Sequence, residues 1–369
     1  MELTDPQTDS QMESAFGVYV HIPFCASKCD YCDFATWTDR HHLTDDYLEA
    51  VRTDIARSVA AGMGPATSIF VGGGTPSMVP ATSLGSVIAE IPVTENAEIT
   101  VECTPDDVTV ELLTTYREAG VNRISLGVQS MVADTLIALG RRHQRANVIS
   151  AVHAVREVGI PHLNLDIIYG GAGERVSDWE STVAAVLALQ PDHISAYALT
   201  VEAGTALAND PARHPDDDDQ AEKYELVDAM LLRAGFVNYE ISNWARPGNE
   251  CRHNMVYWRQ QDYLGFGCAA HSHVQGRRWW NLRTPQRYID AVVAGTSVVA
   301  AEETLTPEGR RLEGLQLRLR TAEGVPRDAF NLADAAELCE IGLIEARGAR
   351  WCLSPAGRLL ANEVAMRLR

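Results

Sequence analysis

Three cysteines lie within a span of eight residues near the start of the chain. They are Cys25, Cys29 and Cys32, in the spacing C-x3-C-x2-C. Thiolates are soft ligands that suit iron–sulfur chemistry, and one short loop with three of them can hold three corners of a cuboidal [4Fe–4S] cluster. The fourth iron would then lack a cysteine and could bind a small chelating molecule. The spacing therefore predicts a cluster with an open iron, which distinguishes it from a cluster that only carries electrons.

Two other interpretations of this loop stay open. A zinc site needs four ligands, so His21 or Asp33 would have to complete it. Alternatively, the three thiols are structural and hold no metal. The other five cysteines are scattered along the chain, which is not a disulfide framework. We expect four of them to be small buried hydrophobic residues, namely Cys103, Cys268, Cys339 and Cys352.

Six short runs rich in Val and Ile alternate with segments of helical periodicity. This alternation predicts parallel βα units in an α/β fold, either an open doubly wound sheet or a partial barrel. The unusual residues fall at or just after the ends of successive runs, where a barrel gathers its site, and this favours a partial (β/α)6 barrel of the TIM type. The runs cover residues 17–24, 68–74, 98–105, 123–130, 162–170 and 193–200.

The chain divides by pattern into four parts. Residues 1–15 form a polar N-terminal tail, 16–205 the barrel, 206–298 a helix and a region rich in aromatics and His, and 299–369 a domain that resembles a winged helix. Residues 300–369 contain 10 Arg and no Lys against 11 Asp and Glu, so no basic stripe is available for nucleic acid.

An acidic run precedes the helix that follows the barrel. Residues 208–219 read as a hydrated loop, whose last carboxylate, that of Asp219, is expected to cap this helix.

The composition limits the class of protein further. The chain has 31 Lys and Arg against 50 Asp and Glu, a net charge of −19, which argues against a general affinity for nucleic acid. No apolar run approaches the ~20 residues that a bilayer requires, and the first residues are acidic and polar where a signal peptide would be basic and then apolar. We therefore expect a cytoplasmic protein.

The cysteine spacing at the end of the first strand resembles that of the radical S-adenosylmethionine (SAM) superfamily. The resemblance implies a partial (β/α)6 barrel, in agreement with the six runs. It also implies that the amino and carboxylate groups of SAM chelate the open iron. One electron from the reduced cluster then cleaves the sulfonium to methionine and a 5′-deoxyadenosyl radical. An electron donor is implied if SAM is cleaved.

Within that superfamily, the chain resembles the oxygen-independent coproporphyrinogen III oxidase family over nearly its whole length. The matching motifs are Y-V-H-I-P-F-C at 19–25, G-G-G-T-P-S at 72–77, G-V-Q-S at 127–130 and D-I-I-Y-G at 166–170. Glycines after the second strand let the backbone approach a ligand closely. By position, the resemblance implies nine SAM contacts: Tyr19, Tyr31, Gly73, Gly74, Thr75, Glu102, Gln129, Arg141 and Asp166.

One position departs from the oxidases. They carry a fourth cysteine two residues after the third, whereas Phe34 stands there in this chain, and their longer N-terminal arm is also lacking. Both features resemble the haem-chaperone branch of the family, which shares the barrel but binds haem and hands it over. This branch implies haem and acceptor haemoproteins as partners, with a transient membrane-protein acceptor and a homodimer as further possibilities.

A second motif, H-N-x-x-Y-W at 253–258, matches the same branch. An imidazole can ligate haem iron, and Tyr and Trp offer flat apolar surfaces with polar tips to a porphyrin. The resemblance implies four haem contacts: His253, as a ligand of the iron, with Asn254, Tyr257 and Trp258.

Other interpretations of this region also stay open. The motif could be a helix start with capping residues and core aromatics. Cys251 is an alternative thiolate ligand, and His271 and His273 are expected to line the site.

The sequence leaves three hypotheses for the function. The first is a haem carrier in which the cluster and SAM gate dimerisation or release. The second is the anaerobic oxidase, in which a radical abstracts hydrogen from propionate side chains and carbon dioxide leaves to form vinyl groups. The third is a radical SAM enzyme with an unrelated substrate.

Overall fold

The structure is a computed structural model that describes residues 15–369. The expected N-terminal tail lies outside the described residues except for Ala15. Within the described part, no helix has the length and apolar character needed to cross a membrane.

Six parallel strands form the centre of the molecule and match the six runs. Each strand pairs with the next one along the chain, in the order β1 to β6. Val18, Val20 and Ile22 of β1 are fully buried, and the alternating residues Tyr19 and His21 point to the other face. The strands are β1 Phe16–Ile22, β2 Ala66–Gly73, β3 Val93–Cys103, β4 Arg123–Gln129, β5 His162–Tyr169 and β6 His193–Ala198.

Helices connect these strands and cover the outer face of the sheet. Helix α5 ends at Gly159, which has a φ of 75°, a left-handed conformation that glycine adopts without steric cost. The helices are α1 Thr44–Ala60, α2 Ala81–Ala89, α3 Val110–Glu118, α4 Ala133–Ala138, α5 Arg145–Val158 and α6 Val176–Ala188.

The six strands curve into a partial barrel. Strands in a flat sheet lie ~4.8 Å apart, which would spread the ends of six strands over ~24 Å. Residues at or after the ends of all six strands nevertheless line one cavity. The expected fold class is therefore confirmed.

The sheet continues beyond both edges of the barrel. β8 pairs antiparallel with β6, whereas β9 pairs parallel with β1 at the opposite edge. The segment that joins β8 to β9 contains α8, so this helix has to cross the barrel between its two edges. The elements are α7 Asp217–Arg233, β7 Val237–Glu240, β8 Asn243–Ala245, α8 Arg252–Trp258, β9 Asp262–Phe266, β10 His271–Val274, β11 Arg277–Asn281, α9 Pro285–Ala294 and β12 Val299–Thr304.

The C-terminal part has its own apolar core and a three-stranded sheet in the order β13-β15-β14. Leu319, Val325, Ile344 and Val364 are buried in that core. β12 still belongs to the large sheet, and the domain boundaries stay a prediction. The elements are α10 Pro307–Leu319, β13 Val325–Pro326, α11 Leu332–Glu340, β14 Ile344–Arg347, β15 Arg350–Leu353, α12 Pro355–Leu359 and α13 Ala361–Ala365.

The acidic run before α7 is partly helical, which corrects the expected loop. The helix begins at Asp217, and the side chain of Asp216 accepts a hydrogen bond from the Asp219 amide. Asp216 is therefore the N-cap, and the prediction of Asp219 was wrong. The Asp219 carboxylate instead pairs with the buried ammonium of Lys223 at 2.6 Å, one helical turn later.

The buried ion pair between Lys223 of α7 and Glu174 leads to a prediction about stability. Lys223 Nζ lies 3.2 Å from Glu174 Oε2, and both side chains are fully buried. Lys223→Met leaves Glu174 in the interior without its cation, and we expect a loss of ~3 kcal/mol or more in the free energy of unfolding at pH 7. Urea denaturation measures it. The control Arg175→Met breaks an exposed pair with Asp178 and should change little; equal losses would contradict the assignment.

Candidate functional site

A cavity of about 430 Å³ lies at the carboxyl ends of the six barrel strands. It gathers residues that are far apart in the sequence, because the ends of parallel strands meet at one mouth of a barrel. The three clustered cysteines and eight of the nine expected SAM contacts line it: Cys25, Cys29, Cys32, Tyr31, Gly73, Gly74, Thr75, Glu102, Gln129, Arg141 and Asp166.

The cysteine loop is closed by backbone hydrogen bonds at its base. The Cys25 amide donates to the Trp37 carbonyl at 3.1 Å, and the Trp37 amide donates to the Pro23 carbonyl at 2.7 Å. Inside the loop, the Cys32 amide donates to the Cys29 carbonyl at 3.2 Å. All three thiols are partly exposed, whereas Cys103, Cys251, Cys268 and Cys352 are buried.

The zinc interpretation finds no fourth ligand here. His21 is buried, with Nε2 hydrogen-bonded to the Ala35 carbonyl and Nδ1 to the Tyr19 hydroxyl. Asp33 is exposed and does not line the cavity. Within residues 15–369, no three His, Cys, Asp or Glu side chains converge closely enough to hold one metal ion. A cuboidal cluster does not need such convergence, because each thiolate binds a different iron.

Burial raises the pKa of the Cys25 and Cys32 thiols. Two donors nevertheless face the sulfurs: Arg141 Nη1 lies 3.3 Å from Cys29 Sγ, and Thr75 Oγ1 lies 3.6 Å from Cys25 Sγ. Hydrogen bonds and a positive charge stabilise thiolates, and a bound metal deprotonates thiols outright. The donor set therefore fits an iron–sulfur cluster on this loop.

The glycine turn after β2 lies directly against the cysteine loop. The Gly74 amide donates to the Ile22 carbonyl at 2.7 Å, and the Thr75 amide donates to the Phe24 carbonyl at 2.8 Å. A Cβ on Gly74 would lie 2.6 Å from the Phe24 carbonyl oxygen and 3.0 Å from Cys25 Sγ. Only glycine leaves this approach free, so the turn holds the cysteine loop in place and presents bare backbone to the cavity.

Two carboxyl groups stand at the ends of β3 and β5. Glu102 Oε2 accepts a hydrogen bond from the Gly73 amide at 3.1 Å, and burial with the neighbouring Asp166 raises the pKa of Glu102 to about 8. Asp166 accepts hydrogen bonds from Ser125 Oγ at 2.8 Å and from Asn164 Nδ2 at 2.7 Å, although burial raises its pKa. The strand ends thus offer groups that can bind hydroxyls, and burial disfavours the charged form of both carboxyl groups.

Gln129 ends β4 in a strained conformation. Its φ is 61°, and the pairing with β5 shifts register between Gly127 and Gln129. A non-glycine residue in the left-handed region costs ~1–3 kcal/mol, and such strain concentrates at functional sites. A Cβ on Gly127 would lie 3.0 Å from Gln129 Nε2, so glycine leaves room for this side chain. Gly127 also accepts a hydrogen bond from Arg141 through its carbonyl.

Several cavity residues were not expected from the sequence. Tyr197 lies near the end of β6 and lines the same cavity as Glu102 and Asp166, so its place near a strand end could have identified it. His143 lies in a loop and has no comparable signal. Its Nε2 donates to the Val128 carbonyl at 2.9 Å, and its buried Nδ1 has no hydrogen-bond partner within residues 15–369.

The H-N-x-x-Y-W helix, α8, lies near the amino ends of the strands and not at the cavity. The His253 ring is buried, and its two nitrogens are hydrogen-bonded to Ser68 Oγ at 2.9 Å and to the Tyr257 hydroxyl at 2.8 Å. Ser68 is on β2, and Glu98 on β3 accepts from the His253 amide. The ring stacks on Phe70, with centroids 5.4 Å apart. In this arrangement neither ring nitrogen is free for iron.

Tyr19 is the one expected SAM contact that does not line the cavity. Its hydroxyl contacts His21, and its ring stacks on Phe70 with the centroids 6.5 Å apart. It therefore stands between the cysteine loop and the aromatic cluster around His253.

The burial and the positions of the remaining cysteines and histidines agree only in part with the expectations. Cys251 is buried and its thiol contacts Glu98, and His271 and His273 belong to β10 and do not line the cavity. Cys339 is exposed, so the prediction that it is buried was wrong. Burial was correct for the other three, Cys103, Cys268 and Cys352.

A chain of hydrogen bonds runs through the barrel from α8 to the cavity. Asn254 Nδ2 donates to the Tyr239 hydroxyl at 3.4 Å, and this hydroxyl contacts His193 Nε2 at 2.8 Å. His193 Nδ1 donates to Asn164 Oδ1 at 2.6 Å, and Asn164 Nδ2 donates to Asp166. Burial lowers the pKa of His193, so the ring is neutral and can both donate and accept. The two ends of the barrel are thus connected by buried polar contacts.

Comparisons with known proteins give the class of the molecule first. The radical SAM superfamily model matches residues 19–186, from β1 into α6, so the fold and the site together define a radical SAM protein. The solved coproporphyrinogen III oxidase HemN of Escherichia coli superposes with a TM-score of 0.83 at 22% identity, covering 96% of this chain and 90% of that chain. At this identity, the likeness concerns the fold.

Curated relatives define the family. The haem chaperone HemW of Mycobacterium tuberculosis is 39% identical, covering 96% of this chain and 94% of the relative. The HemW proteins of Bacillus subtilis and Escherichia coli are 33% and 35% identical, over 94% and 85% of this chain and 97% and 84% of their own lengths. The chain belongs to the HemW family within the radical SAM superfamily. Membership of this superfamily implies a [4Fe–4S] cluster and SAM.

The cysteine loop gives a direct prediction. Cys29→Ser removes one of three thiolates, and we expect anaerobically reconstituted protein to lose the visible absorption of a [4Fe–4S] cluster and most of its bound iron. Cys339→Ser is the control, because Cys339 is exposed and does not line the cavity. An unchanged cluster spectrum in Cys29→Ser would refute the ligand set.

Glu102 gives a prediction of pH dependence. Its pKa is raised from 4.5 to about 8, so between these values the folded protein keeps a proton that the unfolded chain has lost. The contribution of Glu102 to the free energy of unfolding is therefore fully present below pH 4.5, and it is lost as the pH rises through about 8. Without SAM, the Tm of the wild type should decrease between about pH 6 and pH 9, and the Tm of Glu102→Gln should decrease less over the same range.

The exposed Glu95→Gln is the control for this measurement and should keep the slope of the wild type. A slope in Glu102→Gln equal to that of the wild type would contradict the assignment. We also expect Glu102→Gln to weaken SAM binding, which titration calorimetry measures.

Proposed function

We propose that this protein is a haem chaperone that binds a [4Fe–4S] cluster, SAM and haem, and delivers haem to acceptor haemoproteins. The observation that carries the proposal is the identity of 33–39% to proteins named haem chaperone HemW over at least 94% of this chain. The acceptor, the electron donor, a membrane-protein acceptor and a homodimer stay predictions.

The cavity residues fit the cluster and SAM. Cys25, Cys29 and Cys32 would hold the cluster, and a reduced cluster supplies an electron to SAM when both are bound. Around it, the bare backbone of Gly73 and Gly74 would admit the methionine part of SAM, and the carboxyl groups at the strand ends would bind hydroxyl groups. Tyr31, Thr75, Gln129 and Arg141 complete the proposed contacts.

The separation of the two ends supports a carrier. A substrate of radical chemistry has to reach the cavity, whereas α8, with the proposed haem contacts Asn254, Tyr257 and Trp258, lies near the opposite end of the barrel. A cargo on α8 would be remote from the cavity and linked to it through the Asp166–Asn254 hydrogen-bond chain. This arrangement supports gating of haem binding or release.

The proposed iron ligand, His253, has to exchange one hydrogen bond to bind haem. Its Nδ1 contacts Ser68 Oγ deep in the barrel, and the partner of Nε2, Tyr257, lies one helical turn along α8. We propose that Nε2 exchanges the Tyr257 hydroxyl for iron. The hydrogen bond from Nδ1 to Ser68 would then orient the ring. In metal sites, the ring nitrogen that does not bind the metal is usually held by such a hydrogen bond.

A direct test distinguishes the proposed haem carrier from the alternative function, the oxidase. Anaerobically reconstituted protein is offered hemin in one cuvette, and coproporphyrinogen III with SAM and a reductant in another. We expect a saturable shift of the Soret band and no vinyl product. Formation of vinyl product would overturn the carrier proposal, and so would the absence of saturable hemin binding.

The ligand exchange at His253 predicts opposite effects for two variants. His253→Ala should weaken hemin binding and shift the Soret band, with the cluster absorption unchanged. Tyr257→Phe removes the hydroxyl that occupies Nε2 and should keep the Soret position, with affinity equal to or above that of the wild type. A wild-type Soret spectrum in His253→Ala would show that His253 is not the ligand.

A further inference from the structure

A second cleft, of about 520 Å³, lies between α10 and the segment that follows α8. We name it the arginine cleft, because Arg259, Arg310, Arg311 and Arg318 line it. No Asp or Glu is among its lining residues. In a chain with a net charge of −19, a cleft walled by four arginines is a local reversal of sign. Such a concave site favours anions, because the surrounding protein concentrates its field.

Two of the four guanidinium groups are already paired and two are not. Arg259 pairs with Glu323, and Arg311 pairs with Glu308 at 2.8 Å. The exposed Arg310 and the half-buried Arg318 have no acidic partner within residues 15–369. Unpaired guanidinium groups that share one cleft can each form two hydrogen bonds with a carboxylate.

A buried donor in the same cleft also lacks a partner. Gln260 Nε2 is shielded from solvent and forms no hydrogen bond within the described part of the chain. Gln260 has a φ of 53°, and a Cβ on Gly314 of α10 would lie 3.0 Å from Gln260 Oε1. Glycine inside a helix costs ~0.5–1 kcal/mol relative to Ala, so α10 loses stability where it admits this amide. A buried unpaired N–H is itself costly, and a rotation of the Gln260 amide toward an acceptor from a ligand would remove that cost.

The position of the cleft links it to α8. Arg259 directly follows Trp258, the last residue of the H-N-x-x-Y-W motif. Leu305, Pro307 and Leu315 add an apolar wall. From residue 253 to residue 259 a helix rises ~9 Å, which is comparable with the distance from the iron of haem to its propionate carboxylates. An apolar ring bound along α8 could therefore extend its carboxylates into the cleft.

We propose that the arginine cleft binds the propionate carboxylates of haem, with Arg310, Arg318 and Gln260 as the contacts. This inference rests on the proposed haem-binding function and adds the site that recognises the polar edge of the cargo. The propionates would approach the two unpaired guanidinium groups, and the macrocycle would lie toward α8.

The test compares hemin with hemin dimethyl ester, whose carboxylates are blocked. Both are titrated into reconstituted full-length protein, and the Soret band gives affinity and ligation separately. We expect the wild type to bind hemin more tightly than the ester. The double variant Arg310→Gln/Arg318→Gln should bind hemin about tenfold more weakly, bind the ester as the wild type does, and keep the Soret position.

The control is Arg287→Gln, which removes an exposed positive charge on α9 outside the cleft. Equal affinity of the wild type for hemin and its ester would overturn the proposal, and so would a double variant with wild-type hemin affinity. If the double variant impairs only transfer to an acceptor protein, the cleft serves an acidic protein surface and the proposal is wrong. Absence of saturable hemin binding to the wild type would instead refute the proposed function, and this inference with it.

Discussion

The parallel pairing of β1 to β6 is the constraint on which the rest of the structure depends. Parallel strands bring all their carboxyl ends to one edge, and the curvature of the sheet closes that edge into a mouth. Residues as distant as Cys25 and Tyr197 line one cavity for this reason. The same pairing places the glycine turn of β2 beside the cysteine loop of β1. There the Gly74 and Thr75 amides hold the loop through two backbone hydrogen bonds.

The interior of the barrel is polar, and this has an energetic consequence. Buried polar groups are costly unless they are paired, so the residues that fill the barrel form a connected network. Asn164 illustrates this, because it contacts Asp166, His193 and two serines. Both ends of the barrel share these contacts. This network connects Asp166 to the Tyr239 hydroxyl and to Asn254.

The distance between the cavity and the proposed haem contacts on α8 bears on whether the protein is a carrier or an enzyme that acts on its cargo. In an enzyme, the reacting group of the substrate has to lie next to the reagent, within contact distance. In a carrier, the cofactor cavity needs only to change the affinity for the cargo, which a coupling of ~1–3 kcal/mol can do over a distance. The position of α8 favours the second arrangement, and the arginine cleft beside α8 extends the proposed cargo site away from the cluster.

The sequence by itself determined the strands and the cysteine loop. Alternation of Val and Ile with helical segments depends on local periodicity, and the C-x3-C-x2-C spacing lies within one loop, so neither required tertiary information. The same periodicity placed Glu102 and Asp166 near strand ends, whereas their expected role as SAM contacts came from the resemblance to the family. The cap of α7 was misplaced, because Asp216 and Asp219 are both good capping residues, and only the path of the chain selects between them.

Only the tertiary structure decided the surroundings of His253 and the existence of the arginine cleft. The motif 253–258 shows a histidine and two aromatics in any conformation, but burial against Ser68 and Phe70 depends on how α8 crosses the barrel. Arg259 and Arg318 are 59 positions apart and belong to different elements, so no local pattern connects them. Contacts between distant segments follow from packing, and packing depends on the whole chain at once.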